Sequence, residues 1–173
     1  KVTVTGVNDA PVAGSQVVTA LEDTAKAITL GGFDAEGTTL TYTVVRQPTK
    51  GTLSGTAPNL VYTPSTNANG ADNFTYKVSD GTLESGVATV TIVVAAVNDL
   101  PVVSGQSVTT DEDAPVAITL SGSDVDGDTL TYTVVAGPTK GELFGTAPNL
   151  IYVPNPEVSG TDSFTYKVND GTT

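Results

Sequence analysis

The chain has 173 residues, enough for one large domain or two small ones, and 38% of them are apolar, enough for small cores. It contains no Cys or His, which excludes disulfide staples, zinc fingers and thiol chemistry. Its net charge of −12, from 19 acidic against 7 basic residues, has the wrong sign for nucleic acid, which needs a basic footprint.

In chain order, Lys1-Val2-Thr3-Val4-Thr5 is strand-like and leads into Val7-Asn8-Asp9-Ala10-Pro11. Seven strands are then predicted at 15–21, 26–31, 39–46, 51–54, 59–63, 73–79 and 87–96. The pattern behind them has period two. Leu40, Tyr42 and Val44 alternate with Thr39, Thr41 and Thr43. Phe74, Tyr76 and Val78 alternate with Thr75 and Lys77. Val90, Ile92 and Val94 alternate with Thr89, Thr91 and Val93. Val and Thr suit a pleated, half-buried surface. Gly and Pro punctuate the gaps at Pro48, Gly51, Pro64 and Asp80-Gly81. Tyr42, Tyr62, Phe74 and Tyr76 are expected in or beside the core by their strand parity. No apolar run is long enough to span a bilayer, so membrane insertion is not expected.

The same sequence then starts again. Val97-Asn98-Asp99-Leu100-Pro101 repeats Val7-Asn8-Asp9-Ala10-Pro11 at an offset of 90 (97 − 7). Glu112-Asp113 repeats Glu22-Asp23, Thr129 to Val135 repeat Thr39 to Val45, and Phe164-Thr165-Tyr166-Lys167-Val168 repeats Phe74 to Val78. A fixed period marks a repeat architecture. About seven short strands in about ninety residues read as an Ig-like sandwich. The expected fold is therefore all-β: two tandem, seven-stranded Greek-key sandwiches over 7–96 and 97–173. Residues 1–6 are expected to be the last strand of a preceding repeat. The second copy has no counterpart of 87–96 and is expected to lack its last strand, so the chain reads as a piece of a longer array. The spare strand is expected to be able to dock into a neighbouring molecule, by strand addition.

If successive strands alternate in direction, the acids gather at the ends of the modules. Glu22 and Asp23 fall in the first inter-strand loop of module one. Asn98 and Asp99 lie in the linker. Asp124, Asp126 and Asp128 fall in one loop of module two, and Asp170 falls in another. These residues are expected to converge on one junction. Weaker counterparts, Asn8, Asp9, Asp34, Glu36 and Asp80, stand at the start of module one, where Thr38 replaces the third Asp. Two readings stay open. Asp-Gly and Asn-Asp are ordinary turn formers, and Asp170-Gly171 alone reads as a hairpin turn. Many hard oxygen ligands without nitrogen or sulfur suit Ca²⁺, which takes 6–8 oxygens.

Val-Asn-Asp-Ala-Pro, Glu-Asp-Thr, Leu-Thr-Tyr-Thr-Val-Val, Pro-Thr-Lys-Gly-Thr-Leu and Phe-Thr-Tyr-Lys-Val-Ser-Asp-Gly together resemble bacterial cadherin-like (Ig-like) tandem repeats of large secreted adhesins. The resemblance covers nearly the whole chain. It implies calcium held by Glu22, Asn98-Asp99 and Asp124/Asp126, and a bacterial cell-surface or secreted location. The function it implies is a non-catalytic spacer stiffened by Ca²⁺, with neighbouring repeats of the same chain as partners. The alternative is a module that itself binds polysaccharide or a like molecule on another cell. An enzyme is not expected, because neither His nor Cys is present and no Ser stands beside a recognisable base.

Overall fold

The computed structural model describes residues 1–172 as strands and the turns that join them, with no helix among them. The chain divides into unit 1, Lys1–Val97, and unit 2, Asn98–Thr173.

Unit 1 runs through β1 (Val12–Gly14), β2 (Gln16–Leu21), β3 (Lys26–Thr29), β4 (Gly31–Phe33), β5 (Thr41–Arg46), β6 (Gly51–Thr56), β7 (Asn59–Pro64), β8 (Gly70–Ser79) and β9 (Ala88–Ala95). One sheet has the order β2-β9-β8-β5 and another β3-β7-β6, with β1 paired to β4. All of these sheets are open. β3 and β4 are one run of chain broken only at Leu30, whose N–H bonds Pro58 O at 2.9 Å. The core lies between the sheets, and the period-two pattern decides who faces it. Phe74, Tyr76, Val78, Val90, Ile92 and Val94 point inward from β8 and β9 and meet Ile28, Leu30, Leu60 and Tyr62. Burying Phe74 or Ile92 fully stabilises the unit by about 1.5–3 kcal/mol each.

The first predicted strand, 15–21, is β2, but it is preceded by an unpredicted strand, β1; the second, 26–31, is divided into β3 and β4. β1 pairs antiparallel with β4, whereas β2 pairs parallel with β9. The chain crosses between the sheets at Ser15, whose hydroxyl accepts the Thr89 N–H at 3.1 Å. Tyr76 ties the crossing to β4, because its buried hydroxyl lies 2.6 Å from both Gly14 O and Gly31 O and donates its proton to one or the other.

A carboxylate inside unit 1 organises a turn. Asp72 is buried and shares the inward parity of Phe74 and Tyr76. It accepts the Thr49, Lys50 and Asn73 N–H groups at 2.8–2.9 Å and the Tyr62 hydroxyl at 2.9 Å. Burial pushes its pKa up, but these donors outweigh burial and hold it below the usual carboxylate range. Gly51 sits under Tyr62. A Cβ there would lie 2.5 Å from Thr63 O and 2.6 Å from the Tyr62 ring.

Unit 2 repeats this with β10 (Val102–Ser104), β11 (Val116–Thr119), β12 (Ser121–Ser123), β13 (Thr131–Ala136), β14 (Gly141–Thr146), β15 (Asn149–Pro154) and β16 (Thr165–Asn169). Its pairings are β11-β15-β14, β13-β16 and β10-β12. Asp162 repeats the role of Asp72, accepting the Thr139 and Lys140 N–H groups and the Tyr152 hydroxyl. Among the described residues nothing stands in the place of β9, as the missing counterpart of 87–96 led us to expect. β2 pairs with β9 in unit 1, whereas residues 106–111 of unit 2 form no strand. β16 is five residues long where β8 has ten. The buried core shrinks to Ile118, Leu120 and Leu150.

Candidate cation sites at the ends of the two units

The acidic residues of unit 2 are brought together by turns and by hydrogen bonds among themselves. The loop between β12 and β13 carries Asp124, Asp126 and Asp128, with Gly127 at φ 81°, a left-handed conformation that favours glycine. Carboxylate oxygens of these three residues lie within 4.8 Å of one another. Asp124 Oδ1 accepts the Asp126 N–H at 2.9 Å and the Asp128 N–H at 3.3 Å. The linker is bound to the same loop, since the Asp99 N–H donates to Asp126 Oδ2 at 2.8 Å. The Asn98 amide donates to Asp170 Oδ2 at 2.8 Å, and Asp170 Oδ1 accepts the Thr172 N–H at 2.8 Å. The Asn98 bond first, and then the Thr172 N–H, lower the Asp170 pKa to about 2.

Unit 1 builds the same arrangement 90 positions earlier. The Asn8 amide donates to Asp80 Oδ2 at 2.8 Å, and the Asp9 N–H donates to Glu36 Oε2 at 3.3 Å. Asp34 Oδ1 accepts the Thr38 N–H at 2.8 Å. The Leu83 N–H, followed by the Asn8 amide, holds the Asp80 carboxyl below its ordinary range. Asn8, Asp9, Asp34, Glu36 and Asp80 thus share one end of unit 1, and Thr38 stands where Asp128 stands in unit 2.

Glu22 and Asp23 lie at the opposite end of unit 1, between β2 and β3. Glu22 is 1% exposed. Its Oε1 accepts the Val97 N–H at 2.6 Å and its Oε2 accepts the Asn69 amide at 3.3 Å. Asp23 is exposed at φ 55° and accepts the Asn67 N–H at 3.1 Å. Sequence reasoning missed Asn67 and Asn69. The second copy has Glu157 and Ser159 at those positions, so the repeat gave no signal there.

Whether these ends suit a cation is decided by their unsatisfied oxygens. Asp124 Oδ2 and Asp34 Oδ2 are both buried and accept no hydrogen bond, and Asp34 is 6% exposed overall. Buried carboxylate oxygens are ordinarily partnered, because desolvating them alone is costly. In unit 2 two further carboxylates crowd the same point, and their repulsion adds to that cost. A hard divalent cation relieves both penalties, and an all-oxygen donor set is the kind that Ca²⁺ takes.

Residues 8–93 and 98–173 each match the family model described as bacterial Ig domain. No curated protein sequence matches the chain significantly. Among solved structures, human Protocadherin-24 EC1-2 is similar at a TM-score of 0.55 and 14% identity, over 94% of each chain. Human CDH23 EC21-23 is similar at a TM-score of 0.57 and 16% identity, over 94% of this chain and 64% of that one. At these identities the likeness shows the fold alone, which is cadherin-like. The chain also aligns over 99% of its length with an endo-fucoidan hydrolase from glycoside hydrolase family 107, at 28% identity and a TM-score of 0.43. It spans 28% of that enzyme's length.

Proposed function

The chain belongs to the bacterial Ig domain family, and we propose that it is a non-catalytic, calcium-stiffened spacer in a modular bacterial surface adhesin. Tandem Ig-like and cadherin-like units are typically non-catalytic and usually extracellular, which supports the coarse part of this reading. The finer part rests on one observation: the Asp124 carboxylate keeps a buried, unpartnered oxygen inside a cluster of three carboxylates. In this reading Asp124, Asp126 and Asp128 hold the ion, with Asp170 and the Asn98-Asp99 linker bonded around them. Asp34 and Glu36 hold a weaker one in unit 1, with Asn8, Asp9 and Asp80. Bound Ca²⁺ would neutralise the clustered charge. The linker N–H bonds would then be fastened to a loop that no longer repels itself, which restrains the chain where it enters each unit. Glu22 is already engaged by Val97 and Asn69, so the reading rests on ligands that each unit supplies for itself.

The deciding experiment is a thermal melt with millimolar Ca²⁺ and with excess chelator, on the native chain and on Asp124→Asn/Asp126→Asn. The expected result is a calcium-dependent rise in Tm of unit 2 that the double variant loses. Superimposable melts in Ca²⁺ and chelator would sink the calcium reading and leave the acids as solvated turns.

A further inference from the structure

The sequence contains one Asn-Gly pair, Asn69-Gly70. Of all residues that can follow an asparagine, glycine hinders its own nitrogen least, because it has no Cβ. The pair ends the turn between β7 and β8, with Gly70 as the first residue of β8, and both residues are exposed. Gly70 has φ 89°, so the turn itself favours glycine there.

Lys50 lies against this peptide. Its backbone is held on both sides: its N–H donates to Asp72 Oδ2 at 2.9 Å, and its carbonyl accepts the Ser65 N–H at 2.8 Å. Its ammonium donates to the Asn69 carbonyl at 2.8 Å, and a Cβ on Gly70 would lie 3.1 Å from Nζ. A charge-assisted bond to that carbonyl draws electron density from the adjoining Gly70 nitrogen and makes its N–H a stronger acid. The Asn69 side-chain amide donates to Glu22 Oε2 at 3.3 Å. Unit 2 keeps a lysine in this place, with Lys140 Nζ 3.2 Å from the Ser159 carbonyl, but has Ser159 where unit 1 has Asn69. The lysine therefore closes the turn in both units, and only unit 1 puts a side-chain amide beside it.

We propose that Asn69 is a self-modifying site, where the chain converts an amide to a carboxylate and so loosens the grip of Glu22 on Val97. The Gly70 N–H gives its proton to solvent, and the nitrogen bonds to Asn69 Cγ. The Cγ–Nδ2 bond breaks, and Nδ2 takes a proton from solvent and leaves as ammonia. Water then opens the five-membered imide. Opening at the side-chain carbonyl leaves aspartate, and opening at the main-chain carbonyl leaves isoaspartate. Either product replaces the donor to Glu22 Oε2 with a second carboxylate. Glu22 is 1% exposed, so solvent screens that repulsion little. The other oxygen of Glu22 holds the Val97 N–H at 2.6 Å, and that bond is the one the repulsion strains.

The test is to hold the full chain in warm neutral buffer with chelator, which keeps it separate from any calcium effect, and to follow each asparagine by peptide mapping. Residue 69 should become acidic several-fold faster than Asn67, as a mixture of aspartate and isoaspartate. Lys50→Gln should slow the reaction several-fold, and a peptide of residues 65–75, which lacks Lys50, should react more slowly than the folded chain. Asn69→Asp carries one product from the start. It should speed hydrogen exchange at Val97 while the β8 amides stay protected. Residue 69 remaining an amide for as long as Asn67 does would overturn the inference. So would a peptide that reacts as fast as the folded chain, or native exchange at Val97 in Asn69→Asp.

Discussion

The Asn98 side-chain amide donates to Asp170 Oδ2 at 2.8 Å, joining the linker of unit 2 to the turn after β16. Asn8 and Asp80 make the same bond at 2.8 Å in unit 1. Both bonds are charge-assisted and favour the ionised carboxylate. Asn98→Ala should therefore raise the Asp170 pKa from about 2 toward the ordinary carboxylate value. Carboxyl NMR titration reads this directly, and an Asp170 that still titrates near its native value would show that the Thr172 N–H alone sets it.

Thr38 is the position where the acidic end of unit 1 lacks a carboxylate that unit 2 has, since its counterpart is Asp128. It is exposed, and its N–H already bonds Asp34. Thr38→Asp should complete a three-carboxylate cluster in unit 1. It should lower the melt of unit 1 in chelator and raise it in Ca²⁺. An ion present at about 100 times its Kd stabilises a fold by about 2.7 kcal/mol. Calorimetry with and without Ca²⁺ checks the sign of both changes.

Asp72 makes unit 1 sensitive to acid. Its folded pKa lies below the unfolded value, so its contribution is complete above about pH 4 and is lost as pH falls through the folded pKa. Asp72→Asn keeps one carbonyl acceptor for the several donors now satisfied, and leaving a buried donor unpaired costs about 1–3 kcal/mol. Urea unfolding of the variant should show a loss of that order at neutral pH and a smaller one in acid, where the native Asp72 is protonated as well.

Glu22 is the point where the chain leaving β9 is fastened. Glu22→Ala should release the Val97 N–H and speed its hydrogen exchange, while the amides of β8 stay protected. Equal protection of Val97 in variant and native chain would mean that neighbouring contacts, not the carboxylate, hold this segment.

The sequence alone determined that the chain is all-β, that it contains two copies of one unit, and which side chains face each core. Strand parity is a local property, and Phe74, Tyr76, Val90 and Ile92 alternate whatever their partners are. The clustering of Asn8, Asp9, Asp34, Glu36 and Asp80 was legible for a related reason, because strands that alternate in direction return the same set of loops to the same end. Asp72 was half legible: its inward parity and its repetition as Asp162 were visible, but its partners Thr49, Lys50 and Tyr62 were not. Only the tertiary structure decided those partners. It also added β1 ahead of the first predicted strand, set β2 parallel to β9, and buried Glu22 with its carboxylate on the Val97 N–H. Each of these depends on hydrogen bonds between residues far apart in the chain, and a period-two pattern names the face a residue occupies without naming the strand beside it. The same dependence bears on β2, whose backbone bonds are completed by β9, a partner far along the chain that no local pattern names.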